Sequence, residues 1–238
     1  MGFLNLLSSN SFFSQDLIAL FQDFTIFISS FETIYMTVIS VLLAYVIGLP
    51  LGIILTVTDE SGIYPIKWLN TVLGIIVNVF RSIPFLILML ALMPLASFIL
   101  SDSTGNPAMI LMLVIASAPY VARMVESSAK EVNGGVLEAA KSMGANTWQI
   151  VYKVILPESL PSLIVGGVIS TVTVFGYTAM SYAIGGTGLG ALAFNEGYVN
   201  SDWAIIWTCV LFMVIIVQLV QVLGMKLANI LDKRISKK

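Results

Sequence analysis

The chain has 238 residues, of which 58% are hydrophobic and only 10% charged, with a formal net charge of −2. A soluble domain carries about a quarter charged residues, so this composition excludes that class and points to helices that cross a bilayer. It has no histidine and one cysteine, Cys209. His-based metal or catalytic sites and an intramolecular disulfide are therefore excluded too.

In chain order, residues 1–30 come first, with no Lys or Arg before Lys67. A secretory signal peptide needs a basic start, so this segment is not read as one. Leu17, Ile18, Leu20, Phe21, Phe24 and Ile28 recur at helical spacing beside Asp16 and Asp23. The pattern predicts an amphipathic extension at the membrane surface; a disordered tail is the alternative. Five apolar stretches follow, each long enough, or nearly so, to cross roughly 30 Å of hydrocarbon. They run from Thr33 to Val57, Thr71 to Ala96, Ala108 to Val121, Leu163 to Ile184 and Trp203 to Gly224. The second is expected as one span with Arg81 and Pro84 inside it. Arg81 has two readings: a snorkelling arginine on the inner half of that span, or a gate or structural ion pair with Glu126 as partner.

The basic residues set the orientation. With the C-terminus inside, Lys67, Arg123, Lys130, Lys141, Lys153, Lys226, Lys233, Arg234, Lys237 and Lys238 are cytoplasmic, while Asp102, Glu196 and Asp202 are external. The expected fold is thus an all-α membrane protein with five transmembrane helices, N-terminus out and C-terminus in. A membrane domain covers residues 31–230, and a basic cytoplasmic tail covers 231–238.

The long cytoplasmic segment, about residues 133–160, reads NGGVLEAAKSMGANTWQIVYKVILPESL. Asn133-Gly134-Gly135 breaks the preceding helix, and a short helix starts near Val136 with Leu137, Ala140 and Gly144 on one face. Gly144 is its natural stop. Asn146 and Gln149, three apart, are spaced to start a second helix, which is expected to end before Pro157. Ala139, Ala140 and Gly144 then form a shallow surface that another protein can approach. On pattern alone, an interfacial helix packed on its own spans is an equal alternative.

Glu138-Ala139-Ala140, Gly144, Val154 and Leu156-Pro157 resemble the EAA loop of ABC importer permeases, with valine where isoleucine is usual. NVFRSIPFLILML, APYVARMVESS and VTVFGYTAMSYAIGGTGLG are similar to segments of the small five-span permeases for methionine, and the likeness covers roughly residues 30–230. The resemblance implies a type I ABC importer permease fold whose loop is a coupling helix docking on a separate ATPase. Glu138 would make the polar contact, Ala139, Ala140 and Gly144 would permit docking, and Leu156 and Pro157 would tie the loop to the fourth span. It also implies a homodimer with the solute path on its axis, two ATP-binding subunits, an extracytoplasmic substrate-binding lipoprotein, methionine as substrate and a bacterial cytoplasmic membrane.

No G-x-x-x-x-G-K-[ST] motif occurs, so ATP and Mg are expected on the partner subunit, with no catalytic residue, metal, resident cofactor or nucleic-acid partner here. The cluster GGTGLG lacks a lysine and reads as a sharp turn or close helix contact. For the solute path, the polar and soft groups Tyr177, Thr178, Met180 and Ser181 of the fourth span are the candidates. Import of another amino acid and ion-driven secondary transport are the rival readings, although no carboxylate lies deep in a span.

Overall fold

The computed structural model describes residues 23–231, and every regular element among them is helical. The basic tail and most of the amphipathic extension lie outside the described residues. Helix α1 runs Thr25–Thr58, eight residues earlier than the expected span, so its first turns take up the end of that extension. Pro50 is accommodated within it.

The second apolar stretch is not one helix. It forms α2, Lys67–Ser82, and α3, Phe85–Leu100, with a bend of 108° between them. The cause is local. Pro84 disfavours helical geometry at the residue before it, and Ile83 is extended at φ −87° and ψ 126°. Helix α4, Gly105–Lys130, outlasts the short third span by nine residues, because RMVESSAK continues its apolar stripe.

Helices α5 (Gly134–Ser142) and α6 (Thr147–Ile150) follow. The expected stop before Pro157 does not occur. Val151–Ile155 forms a wider, π-helical turn in which Leu156 N–H donates to Val151 O, and α7 continues as Leu156–Thr178. A five-residue hydrogen-bond step makes room for a ring and a missing donor that a regular turn would not accept. After a 3₁₀ turn at Ser181–Ile184 come α8 (Leu189–Leu192), a second π-helical turn (Ala193–Tyr198) and α9 (Trp203–Leu231). Among the described residues, four helices are long and apolar enough to cross a membrane, and five spans result if the bent pair counts as one.

The chain divides into two compact units. One contains the residues up to Ser40, Met89–Leu113 and Thr173–Leu219. Its core joins Ile26, Leu189, Leu192, Ala204, Ile205 and Cys209. Thr33 Oγ1 accepts the Leu189 N–H at 2.9 Å and donates to Ser29 O, which satisfies a buried amide that no helix serves. The GGTGLG cluster is the turn that this contact needs. Gly188 has φ +98°, and a Cβ there would stand 2.7 Å from Thr33 Oγ1. Asn106 secures the turn by accepting from Thr187 N–H and donating to Thr187 Oγ1.

The other unit contains Val41–Leu88, Val114–Val172 and the residues from Val220. Gly48 and Gly52, one helical turn apart on α1, lie directly on the backbone of α4. A Cβ at Gly52 would fall 2.5 Å from Ala122 O, and one at Gly48 2.8 Å from Ala118 O. Small residues let membrane helices approach this closely. Val121, Val125, Ala129 and Val132 then form one core with Ala44, Ile53, Ala140, Ile150, Val151 and Ile155, so the short helices rest on the longer ones.

Candidate functional site

The loop between α4 and α7 is fixed at each corner by a hydrogen-bond device readable from its side chains. Asn133 caps α5, its Oδ1 accepting from Gly135 N–H at 2.8 Å. At the other end Gly144, φ +79°, donates to Lys141 O at 2.9 Å, and Ala145 N–H reaches Ala140 O at 3.1 Å. That pair of bonds is the Schellman motif. Two residues on, Asn146 and Gln149 close a reciprocal capping box, Asn146 Oδ1 with Gln149 N–H and Gln149 Oε1 with Asn146 N–H, both at 2.9 Å. The elbow between α5 and α6 is therefore four residues long, and the N–H groups of all four are paired.

Glu138, Ala139, Gly144 and Pro157 are exposed, and Leu156 is half-buried against the core. Ala140 differs from expectation. It is only 5% exposed and packs inward, because it falls on the same helical face as Leu137. It anchors the loop and offers no surface for docking. Composition alone did not single out Met143 and Trp148, yet they are 82% and 79% exposed beside the elbow. The available signal was their place on either side of the Gly144 stop.

Beneath the loop lies a charge network on α4. Glu126, almost fully buried, accepts from Arg123 Nη1 at 2.5 Å and from Lys130 Nζ at 2.9 Å. Lys130 also reaches Asp59 Oδ2 at 2.8 Å, and Arg123 donates to Asn78 Oδ1 at 2.9 Å. The i,i+3 and i,i+4 spacing of the first three was visible in the sequence. Asp59 and Asn78, distant in the chain, were not. The bonds from Lys130 and then from Ser61 hold the Asp59 carboxyl down at about 2. Glu126 is consequently not the partner of Arg81, contrary to that alternative. The Arg81 guanidinium is exposed and stands 6.0 Å from the Tyr120 ring centroid, a cation–π approach.

The four path candidates separate into two pairs. Thr178 and Ser181 are buried and committed: Thr178 Oγ1 donates to Phe175 O at 2.6 Å, and Ser181 Oγ to Thr187 O at 2.8 Å. These hydroxyls end α7 and hold the glycine turn. Tyr177 and Met180 remain half-exposed.

The family profile described as "binding-protein-dependent transport system inner membrane component" matches residues 48–237. A methionine import system permease protein of Bacillus subtilis is 45% identical over 206 residues, covering 87% of this chain and 93% of its own. A probable D-methionine transport system permease protein of Vibrio cholerae is 39% identical over 206 residues, with 87% and 92% covered. Among solved structures, a chain of the MetNI methionine ABC transporter in an inward-facing conformation superposes with a TM-score of 0.87 at 36% identity, covering 93% of this chain and all of that one. A chain of an amino acid ABC transporter crystallised with histidines, 20% identical at a TM-score of 0.73, shares the fold.

Proposed function

This chain belongs to the family of binding-protein-dependent transport inner membrane components, and from that premise we propose that it is the permease subunit of an ATP-driven importer of methionine. Such a subunit is non-catalytic. ATP and Mg are used by two separate ATPase subunits, and two copies of the chain enclose the path in the bacterial cytoplasmic membrane. A lipoprotein on the outer side delivers the amino acid.

The observation that carries this reading is the doubly capped elbow. It presents Glu138, Ala139, Met143, Gly144 and Trp148 outward on a core shared with α1 and α4. Coupling requires a discrete element whose state both sites bias, and an elbow whose four N–H groups are all paired is suited to that role. In the proposed cycle, ATP draws the ATPase subunits together, each elbow moves with its subunit, and the spans alternate between outward and inward access. Glu138 makes the polar contact, Ala139 and Gly144 allow close docking, and Leu156 and Pro157 join the elbow to α7. Tyr177, Thr178, Met180 and Ser181 are the proposed residues of the solute path, and of these Tyr177 and Met180 are half-exposed.

Charge placement supports five spans with the N-terminus out and the C-terminus in. All described basic residues belong to the unit that holds α5 and α6, and Asp23, Glu32, Asp102, Glu196 and Asp202 belong to the other. The chain passes between these units inside apolar helices, one of them α3, which is what a single broken span requires.

The test is reconstitution of the chain with an ATPase subunit in proteoliposomes, with a methionine-binding lipoprotein outside and ATP inside. Methionine uptake that needs all three components is expected. Uptake driven by an ion gradient without the ATPase, or uptake of other amino acids with none of methionine, refutes the proposal.

A further inference from the structure

A cavity of about 250 Å³ opens between the end of α4, the start of α7 and the end of α9. It belongs wholly to the unit that carries the elbow. Its lining is chemically mixed. Met124 and Val165 are apolar, Ser127, Ser162 and Asn229 supply hydroxyl and amide groups, and Glu131 supplies a carboxylate. Glu131 accepts a hydrogen bond from Ser162, and among the described residues it enters no ion pair. The nearest cation along the chain, Lys130, is occupied by Asp59 and Glu126. The carboxylate therefore retains an uncompensated negative charge at the rim of a partly apolar groove.

We propose that this groove is a cytoplasmic-side subsite for the transported α-amino acid, occupied on the way out of the permease. The inference rests on the methionine-permease reading above. Glu131 receives the ammonium group, the amide of Asn229 donates to the carboxylate, and Met124 and Val165 take the apolar side chain. The size fits: at roughly 30 Å³ per water in the liquid, the cavity holds about eight waters, which is near the bulk of one small amino acid. A soft thioether such as Met124 adapts its shape to an unbranched apolar chain. The groove is open, so the contact is weak. That suits a release subsite, since tight binding there would slow escape.

The test uses the permease–ATPase complex in nanodiscs, with Ser127→Cys as reporter in a Cys209→Ser background. Ser127 is exposed and lines the groove, and Cys209 is buried. The rate of modification by a water-soluble thiol reagent is read against three probes: methionine, its des-amino analogue 4-(methylthio)butanoate, and buffer. Protection scales as one plus ligand over dissociation constant, so methionine at about ten times that constant slows labelling roughly tenfold. The analogue gives little protection, and Glu131→Gln removes the protection by methionine. No protection by methionine, equal protection by the analogue, or a thiol that fails to label even in buffer overturns the proposal. Uptake by the parent complex, measured in parallel, separates the two readings. Uptake without protection refutes the groove alone, whereas absent methionine uptake refutes the permease reading.

Discussion

Replacing Gly144 tests the elbow through backbone conformation alone. Its φ of +79° lies in the left-handed region, and a Cβ built there meets nothing within 4 Å. Alanine thus adds no clash, only the cost of an L-residue in that region, about 1–2 kcal/mol. Restricting the unfolded chain returns some of this, since Gly→Ala elsewhere gains about 0.4–1 kcal/mol. The net loss of about 1 kcal/mol lowers the ratio of capped to uncapped loop roughly fivefold. Asparagine, the commonest non-glycine residue at such caps, is expected to lose less, and valine, branched at Cβ, to lose more. Amide hydrogen exchange across residues 139–150 of the assembled complex reads the loop directly, and methionine uptake per ATP hydrolysed reads its consequence. Faster exchange and looser coupling should rise together in the order Gly, Asn, Ala, Val. An alanine variant indistinguishable from the parent, or asparagine worse than alanine, refutes the argument.

Three further outcomes are expected. Glu126→Ala strips Arg123 and Lys130 of a buried shared partner, a loss of about 3–5 kcal/mol for a fully buried pair but about 1–3 here because both cations are partly solvated. Melting of the purified complex should show the Glu126→Ala/Lys130→Ala double variant losing less than the sum of the two singles. Gly52→Leu drives a side chain into Ala122 O and Val125 and is expected to lower the melting temperature by the equivalent of about 1–3 kcal/mol, whereas Gly176→Ala, with open space around it, should not. Because the folded Asp59 carboxyl titrates at about 2, below its ordinary value near 3.9, its stabilisation is complete above about pH 4 and is lost as pH falls through 2. The melting difference between the parent and Asp59→Asn should therefore be full at pH 6 and should narrow towards pH 2.5.

Features legible in the sequence were those written in local chemistry. Gly144 and the Asn146–Gln149 pair each announce a cap within three residues of themselves, and each cap is present, whereas Asn133, expected only to break a helix, caps one that starts at Gly134 rather than Val136. The glycine cluster after α7 likewise forms the sharp turn its composition implied. Errors arose where a neighbour outside the local window decides. Pro157 reads as a stop only if the turn before it is regular, and the π-helical step removes that premise. Pro84 lies inside an apolar stretch long enough for one span, yet it leaves Ile83 extended and turns the chain by 108°. The hydrogen bonds of Thr178 and Ser181 are equally invisible in the sequence, because a hydroxyl's partner cannot be seen from composition. Their acceptors are the Phe175 and Thr187 carbonyls. The link from Lys130 to Asp59, 71 residues away, leaves no pattern in any short window.

The wide turn at Val151–Ile155 has one more implication. Because helix is unbroken from Thr147 to Thr178, the azimuth of Trp148 and that of every side chain on α7 are locked in phase. Adding or deleting one residue in that stretch would twist one end against the other by about 100°. A change of side chain there leaves this phase in place, whereas a change of residue count does not, and the five-residue hydrogen-bond step sets the zero of that rotation.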